Sequence, residues 1–137
     1  MLKLTKKQKL EIEEVAQKYD LKLILLFGSQ ASGKTHKKSD ADIALIFDEK
    51  KRKDLPLDDQ LSIFAALSRV IIKNLDISVV NHANPLLLKQ IYFSSQLLFG
   101  SEKDYYNFRL YAFNRFNDYA PYFVREAELA SYLVKQM

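Results

Sequence analysis

Cysteine is absent from the 137 residues, and histidine occurs only twice. Disulfides, zinc–thiolate centres and cysteine nucleophiles are therefore excluded, and a His-rich metal site lacks its ligands. No purely apolar run exceeds a few residues, far short of the roughly 20 that cross a bilayer. Met1–Lys9 is rich in lysine without a following apolar stretch, so no signal peptide is expected. Charge of one sign barely dominates: Lys+Arg 21 against Asp+Glu 17 leaves +4. That balance permits a phosphate-bearing ligand, but no basic stripe argues for nucleic acid as a direct partner. Linkers, repeats and low-complexity segments are also missing. What remains is 48% hydrophobic and 28% charged, enough for one domain with a real core and too apolar for disorder. The expectation is a cytoplasmic protein without membrane contact.

Thr5–Tyr19 reads as a helix, opened by a Thr5/Gln8 capping box and carrying Ile12, Val15, Ala16 and Tyr19 on one stripe. Leu21–Phe27 is a dense apolar strand closed by Gly28-Ser29, and Asp40–Phe47 a second strand with a polar entrance. The spacing predicts a helix over Leu57–Lys73, with Leu61, Phe64, Ala65, Ser68, Ile71 and Ile72 on its apolar face. Leu75–Val80 is a third strand. Asn84-Pro85 caps and opens a short helix to about Phe93, Gln96–Phe99 is a short strand, and Ser101–Met137 is mostly helical with a break or kink at Pro121. This order predicts an α+β fold, a small mixed sheet with helices packed on one side, and a C-terminal helical extension. Residues 1–100 would form the core and 101–137 the extension.

Two phosphate motifs overlap after the first strand. Gly28–Thr35 (GSQASGKT) matches the P-loop pattern G-x-x-x-x-G-K-[ST]. A P-loop, however, opens a helix and crosses to a parallel strand, which takes a dozen or more residues. Only His36–Ser39 separate Thr35 from the second strand, so the P-loop is rejected. The second motif is Gly28-Ser29, a ten-residue spacer, then Asp40-Ala41-Asp42. On a strand Asp40 and Asp42 point the same way, and paired carboxylates suit a hard divalent cation such as Mg²⁺. Gly28 permits a tight turn, and Ser29 can offer its N–H and hydroxyl to a phosphate. Asp76 joins as a third carboxylate if its strand neighbours the second, and such a cluster needs a metal to neutralise it. The plainer alternatives are a solvated strand entrance for the aspartates, a turn residue for Ser29, and a solvated loop for Lys34, His36, Lys37 and Lys38, whose charge could also screen a triphosphate.

The stretch LLFGSQASGKTHKKSDADIALIF, with Asp76 beyond it, resembles the minimal nucleotidyltransferase (MNT) domain of the DNA polymerase β superfamily, over about the first hundred residues. The resemblance implies a nucleotidyltransferase fold and transfer of a nucleoside monophosphate to a hydroxyl with release of pyrophosphate. It implies that Asp40, Asp42 and Asp76 are the catalytic and metal-holding carboxylates, with two Mg²⁺ ions. Gly28, Ser29, Lys37 and Lys38 would bind the nucleotide, taken to be ATP. Small stand-alone members resemble the antitoxins of HEPN/MNT toxin–antitoxin pairs. The implied partner is then a helical HEPN ribonuclease, neutralised by adenylylation of a tyrosine. The rival readings are an antitoxin that acts by binding alone and an antibiotic-modifying nucleotidyltransferase, for which little chain is left after Gly100.

Tyr105–Phe123 is crowded with aromatic residues. Tyr105, Phe108, Ala112, Phe116 and Tyr119 share one helical face and are expected on the core. Tyr106, Phe113 and Tyr122 lie off it, and a small domain rarely buries every side of a helix. Part of this helix is therefore expected to meet a partner chain, the alternative being that all of it is core.

Overall fold

Apolar residues that run on without alternation mark strands covered on both faces, and Leu21–Phe27 and Ala41–Phe47 are of this kind. Each is buried at nearly every position, with only Lys22 and Asp42 departing. A computed structural model of the chain describes residues 2–28, 41–71 and 74–136. Its elements are α1 (Lys6–Lys18), β1 (Leu21–Phe27), β2 (Ala41–Phe47), α2 (Leu57–Val70), β3 (Leu75–Val79), α3 (Pro85–Phe93), β4 (Ser95–Phe99) and α4 (Glu102–Lys135). The strands form one mixed sheet in the order β3-β2-β1-β4, in which β2 and β3 are parallel and the other pairings antiparallel.

The expected α+β class, the small mixed sheet and the C-terminal helix stand as read from the sequence. Helices cover both faces of the sheet, however, rather than one. Ile24, Leu26, Ile43 and Leu45 pack with Ile12 and Ala16 of α1 and with Ile63 and Leu67 of α2. Leu23, Leu25, Ala44 and Ile46 pack on the opposite side with Leu88 and Ile91 of α3 and with Phe108 and Ala112 of α4. Each such fully buried aliphatic side chain stabilises the fold by ~1.5–3 kcal/mol.

The local signals hold where a side chain meets a specific backbone group. Thr5 and Gln8 form the reciprocal capping box of α1, and Asn84 caps α3 with Pro85 behind it. Ser101 accepts from the N–H of Asp104 to open α4. On α2 the buried face is Ile63, Leu67 and Val70; of the expected residues Ile71 is buried, Leu61 and Phe64 face outward at 57% and 39% exposure, and Ile72 lies outside the described residues. The helix is apolar on two sides, and contact with α1 and the sheet selects the other one. Pro121 does not break α4, which runs on to Lys135. A proline withholds an N–H from the carbonyl four residues back, and Asn117 is exposed, so water can serve that carbonyl.

Candidate active site

β1 ends in a turn at Gly28, whose φ of +79° lies where L side chains are strained. The position is also closed by space. A Cβ built on Gly28 would stand 2.8 Å from Oδ2 of Asp42. Asp42, half-buried near the start of β2, pairs with Phe27 across the antiparallel ladder. On its other side it pairs with Asp76 of β3 in parallel register. Residues in register on neighbouring strands, ~4.8 Å apart, send their side chains to the same face. For this pair it is the face that carries Ala44, Ile46 and Val80. The sequence thus brings Gly28, Asp42 and Asp76 to one corner of the sheet.

Ser94, at the end of α3, holds this corner from below. The Gly28 N–H donates to the Ser94 carbonyl at 3.2 Å, and the Ser94 hydroxyl donates to the Gly28 carbonyl at 3.1 Å. Both backbone groups of Gly28 are therefore engaged, and its N–H is not a phosphate donor. The next residue, Ser95, shares its hydroxyl with that of Tyr105 at 2.5 Å. Arg109 of α4 lies over the Tyr92 ring at 4.8 Å and donates to the Tyr92 carbonyl. Sequence reasoning passed over Ser94 and Ser95, because a serine between a helix and a strand has no motif of its own. The available signal was the Tyr105/Arg109 spacing, which sets a hydroxyl and a guanidinium on one face of a helix.

Ser29, Lys37, Lys38 and Asp40, also expected at the site, lie outside the described residues, as do Lys34 and His36. The antiparallel pairing of β1 with β2 agrees with rejection of the P-loop, which joins parallel strands. Among the described residues, no three His, Cys, Asp or Glu side chains gather into a metal-binding group. The donor set at the corner nevertheless suits Mg²⁺: two oxygen-only carboxylates in register on neighbouring strands, beside a glycine at which a Cβ would crowd Oδ2 of Asp42. His82 stands elsewhere, paired with Glu49 at 3.1 Å beside a cavity of about 420 Å³ at the far end of β2.

Comparison with known proteins agrees with this fold. The family model "Polymerase beta, Nucleotidyltransferase" matches residues 10–104. No curated protein matches the sequence. Among solved structures, a chain from a toxin–antitoxin complex with AMP-PNP superposes with a TM-score of 0.70 at 21% identity, over 91% of this chain and 98% of that one. A chain from the complex of a tri-AMPylated HEPN toxin with an MNT antitoxin, from Shewanella oneidensis, gives 0.66 at 19% identity, over 93% and 97%. A structure described as a minimal nucleotidyltransferase gives 0.54 at 20%, over 66% and 88%. At these identities the likeness is one of fold. Among the described residues, no helix is long and apolar enough to cross a membrane.

Proposed function

Because this chain belongs to the polymerase β nucleotidyltransferase family, we propose that it is a Mg²⁺-dependent protein adenylyltransferase, the antitoxin of a toxin–antitoxin pair, acting on a tyrosine hydroxyl of a HEPN-type toxin. The observation that carries the reading is the registered pair Asp42–Asp76 beside Gly28. The fold shared with toxin–antitoxin chains supports the biological role.

Asp42 and Asp76 would hold the metal, together with Asp40 outside the described residues. When bound, Mg²⁺ supplies charge neutralisation for the triphosphate and for the departing pyrophosphate. The chain's own residues then align the reactants. The acceptor oxygen attacks the α-phosphorus of ATP, the bond from that phosphorus to the bridging oxygen breaks, and pyrophosphate leaves. The hydroxyl proton passes to a carboxylate, for which Asp76 is suited by its exposure, and from there to solvent. Gly28 keeps the approach to Asp42 open, and Ser94 keeps Gly28 in place. Ser29, Lys37 and Lys38 are the proposed phosphate contacts.

The test is incubation of the protein with α-labelled ATP, Mg²⁺ and the product of the neighbouring gene, a HEPN-type toxin on this reading. Label on a toxin tyrosine, lost in Asp42→Asn, is the expected result. A folded, bound toxin that takes up no label overturns the enzymatic reading. Protection of cells by the Asp42→Asn variant would favour the rival, an antitoxin that works by contact alone.

A further inference from the structure

The two outer strands of the sheet end differently. Beside β4 lies the N-terminal segment: the Gln96 side chain donates to the Leu2 carbonyl at 2.7 Å and accepts from the Leu2 N–H at 3.0 Å. β3 has only β2 for a neighbour. The Asn74 carbonyl accepts from the Ala41 N–H at 2.8 Å, and the Val80 N–H donates to the Leu45 carbonyl at 3.0 Å. In a parallel ladder a residue that faces the neighbouring strand turns both backbone groups towards it, and such residues recur at every second position. Asn74, Asp76, Ser78 and Val80 therefore face β2, while Leu75, Ile77 and Val79 turn their N–H and carbonyl groups away from the sheet. Among the described residues, no hydrogen bond meets the outward groups of Ile77 and Val79.

An open edge is commonly blunted by lysine, proline or a bulge. β3 has no lysine or proline, its register with β2 is unbroken, and its one charge is Asp76 of the candidate site. Another strand fits such an edge, because extended chain presents donors and acceptors at the same repeat. A second copy of this chain fits poorly. Antiparallel pairing over the whole strand, Leu75 against Val79, sets the Asp76 residues of the two copies diagonal to one another, ~7–8 Å apart. Each also stands in register with an Asp42. Four carboxylates would then gather on one face and repel each other. A strand from a different protein carries no such cost. Its residue opposite Asp76 sends its side chain to the face on which Asp42 and Asp76 stand.

We propose that the free edge of β3 takes up an extended segment of the acceptor protein as a fifth strand, and that this pairing delivers the acceptor hydroxyl to Asp76. That the segment carries the acceptor rests on the function proposed above; the pairing rests on the open edge. The test is residue-resolved amide exchange of the full chain, alone and saturated with the purified product of the neighbouring gene. The amide protons of Ile77 and Val79 are expected to exchange freely in the free chain and about tenfold or more slowly in the complex. Ile77→Pro removes an outward N–H and no ladder bond, and should weaken binding about tenfold. Ile77→Val trims the side chain, keeps the N–H and should bind as the parent does. Unchanged exchange at both amides in the saturated complex, or a parent chain that does not bind the product, overturns the proposal. Undiminished binding by Ile77→Pro, or an equal loss in Ile77→Val, overturns it as well. So does slow exchange of these amides in the free chain; where dilution speeds it, the occupant is a second copy. Slowed exchange in the complex without nucleotide transfer defeats the transferase reading alone and leaves the paired edge standing.

Discussion

Replacing Gly28 with alanine strikes the corner through two separable effects. The left-handed backbone costs an L residue ~1–2 kcal/mol. The new Cβ would also stand 2.8 Å from Oδ2 of Asp42, where ordinary contact begins at 3.4 Å. The carboxylate must withdraw by about 0.6 Å, at a further ~0.5–1.5 kcal/mol for leaving its rotamer. The sum is ~2–3 kcal/mol, which for a chain of this size lowers the melting temperature by roughly 8–12 °C. A reacting group misplaced by 1 Å loses ~100-fold in rate, so half that displacement predicts about a tenfold loss of nucleotide transfer. Urea unfolding of Gly28→Ala, Asp42→Ala and the double variant separates the two effects. With the carboxylate gone only the backbone cost remains, and a coupling of ~1 kcal/mol is expected. Additivity within ~0.3 kcal/mol, with transfer by Gly28→Ala within about twofold of the parent, would refute the claim that Gly28 is kept bare for Asp42.

Other positions give simpler outcomes. Asp76→Asn should reduce transfer by roughly a thousandfold, measured with labelled ATP, while leaving the unfolding midpoint unchanged or raised as the repulsion with Asp42 is relieved. Ser94→Ala removes one hydrogen bond to Gly28, should cost ~1 kcal/mol in urea unfolding, and should lower kcat more than it raises KM. Asn81 is buried and bonds both the N–H and the carbonyl of Phe47. Asn81→Ala strands both groups, so a loss of ~2–4 kcal/mol is expected by calorimetry, with nucleotide affinity intact because Phe47 ends β2 far from Asp42.

Much of this was legible because it is local. Helix caps are written in adjacent side chains, and Thr5 and Asn84 announced their helices. The pairing of Asp42 with Asp76 followed from strand alternation plus one assumption about strand order, which holds. Sidedness was less readable. The unbroken apolar runs of β1 and β2 do imply cover on both faces, but the sequence does not say which helix covers which. On α2 two apolar faces competed, and only the position of α1 decides between them. Ser94 was invisible because its role is to meet Gly28, 66 positions away. Tyr119 shares a face with Phe108 yet lies exposed, since α4 has already left the body.

The strand that carries Asp76 is a short one, five residues at the margin of the sheet, held in its ladder by β2 alone. Margins fray before centres. Warming should therefore release β3 while β1 and β2 still stand, and inactivation should run several degrees ahead of global melting. The amide proton of Val80, which bonds the Leu45 carbonyl across this ladder, would exchange with solvent well before those that join β1 to β2. Anything that clasps this margin, a nucleotide or an ion shared with Asp42, would draw the two temperatures together.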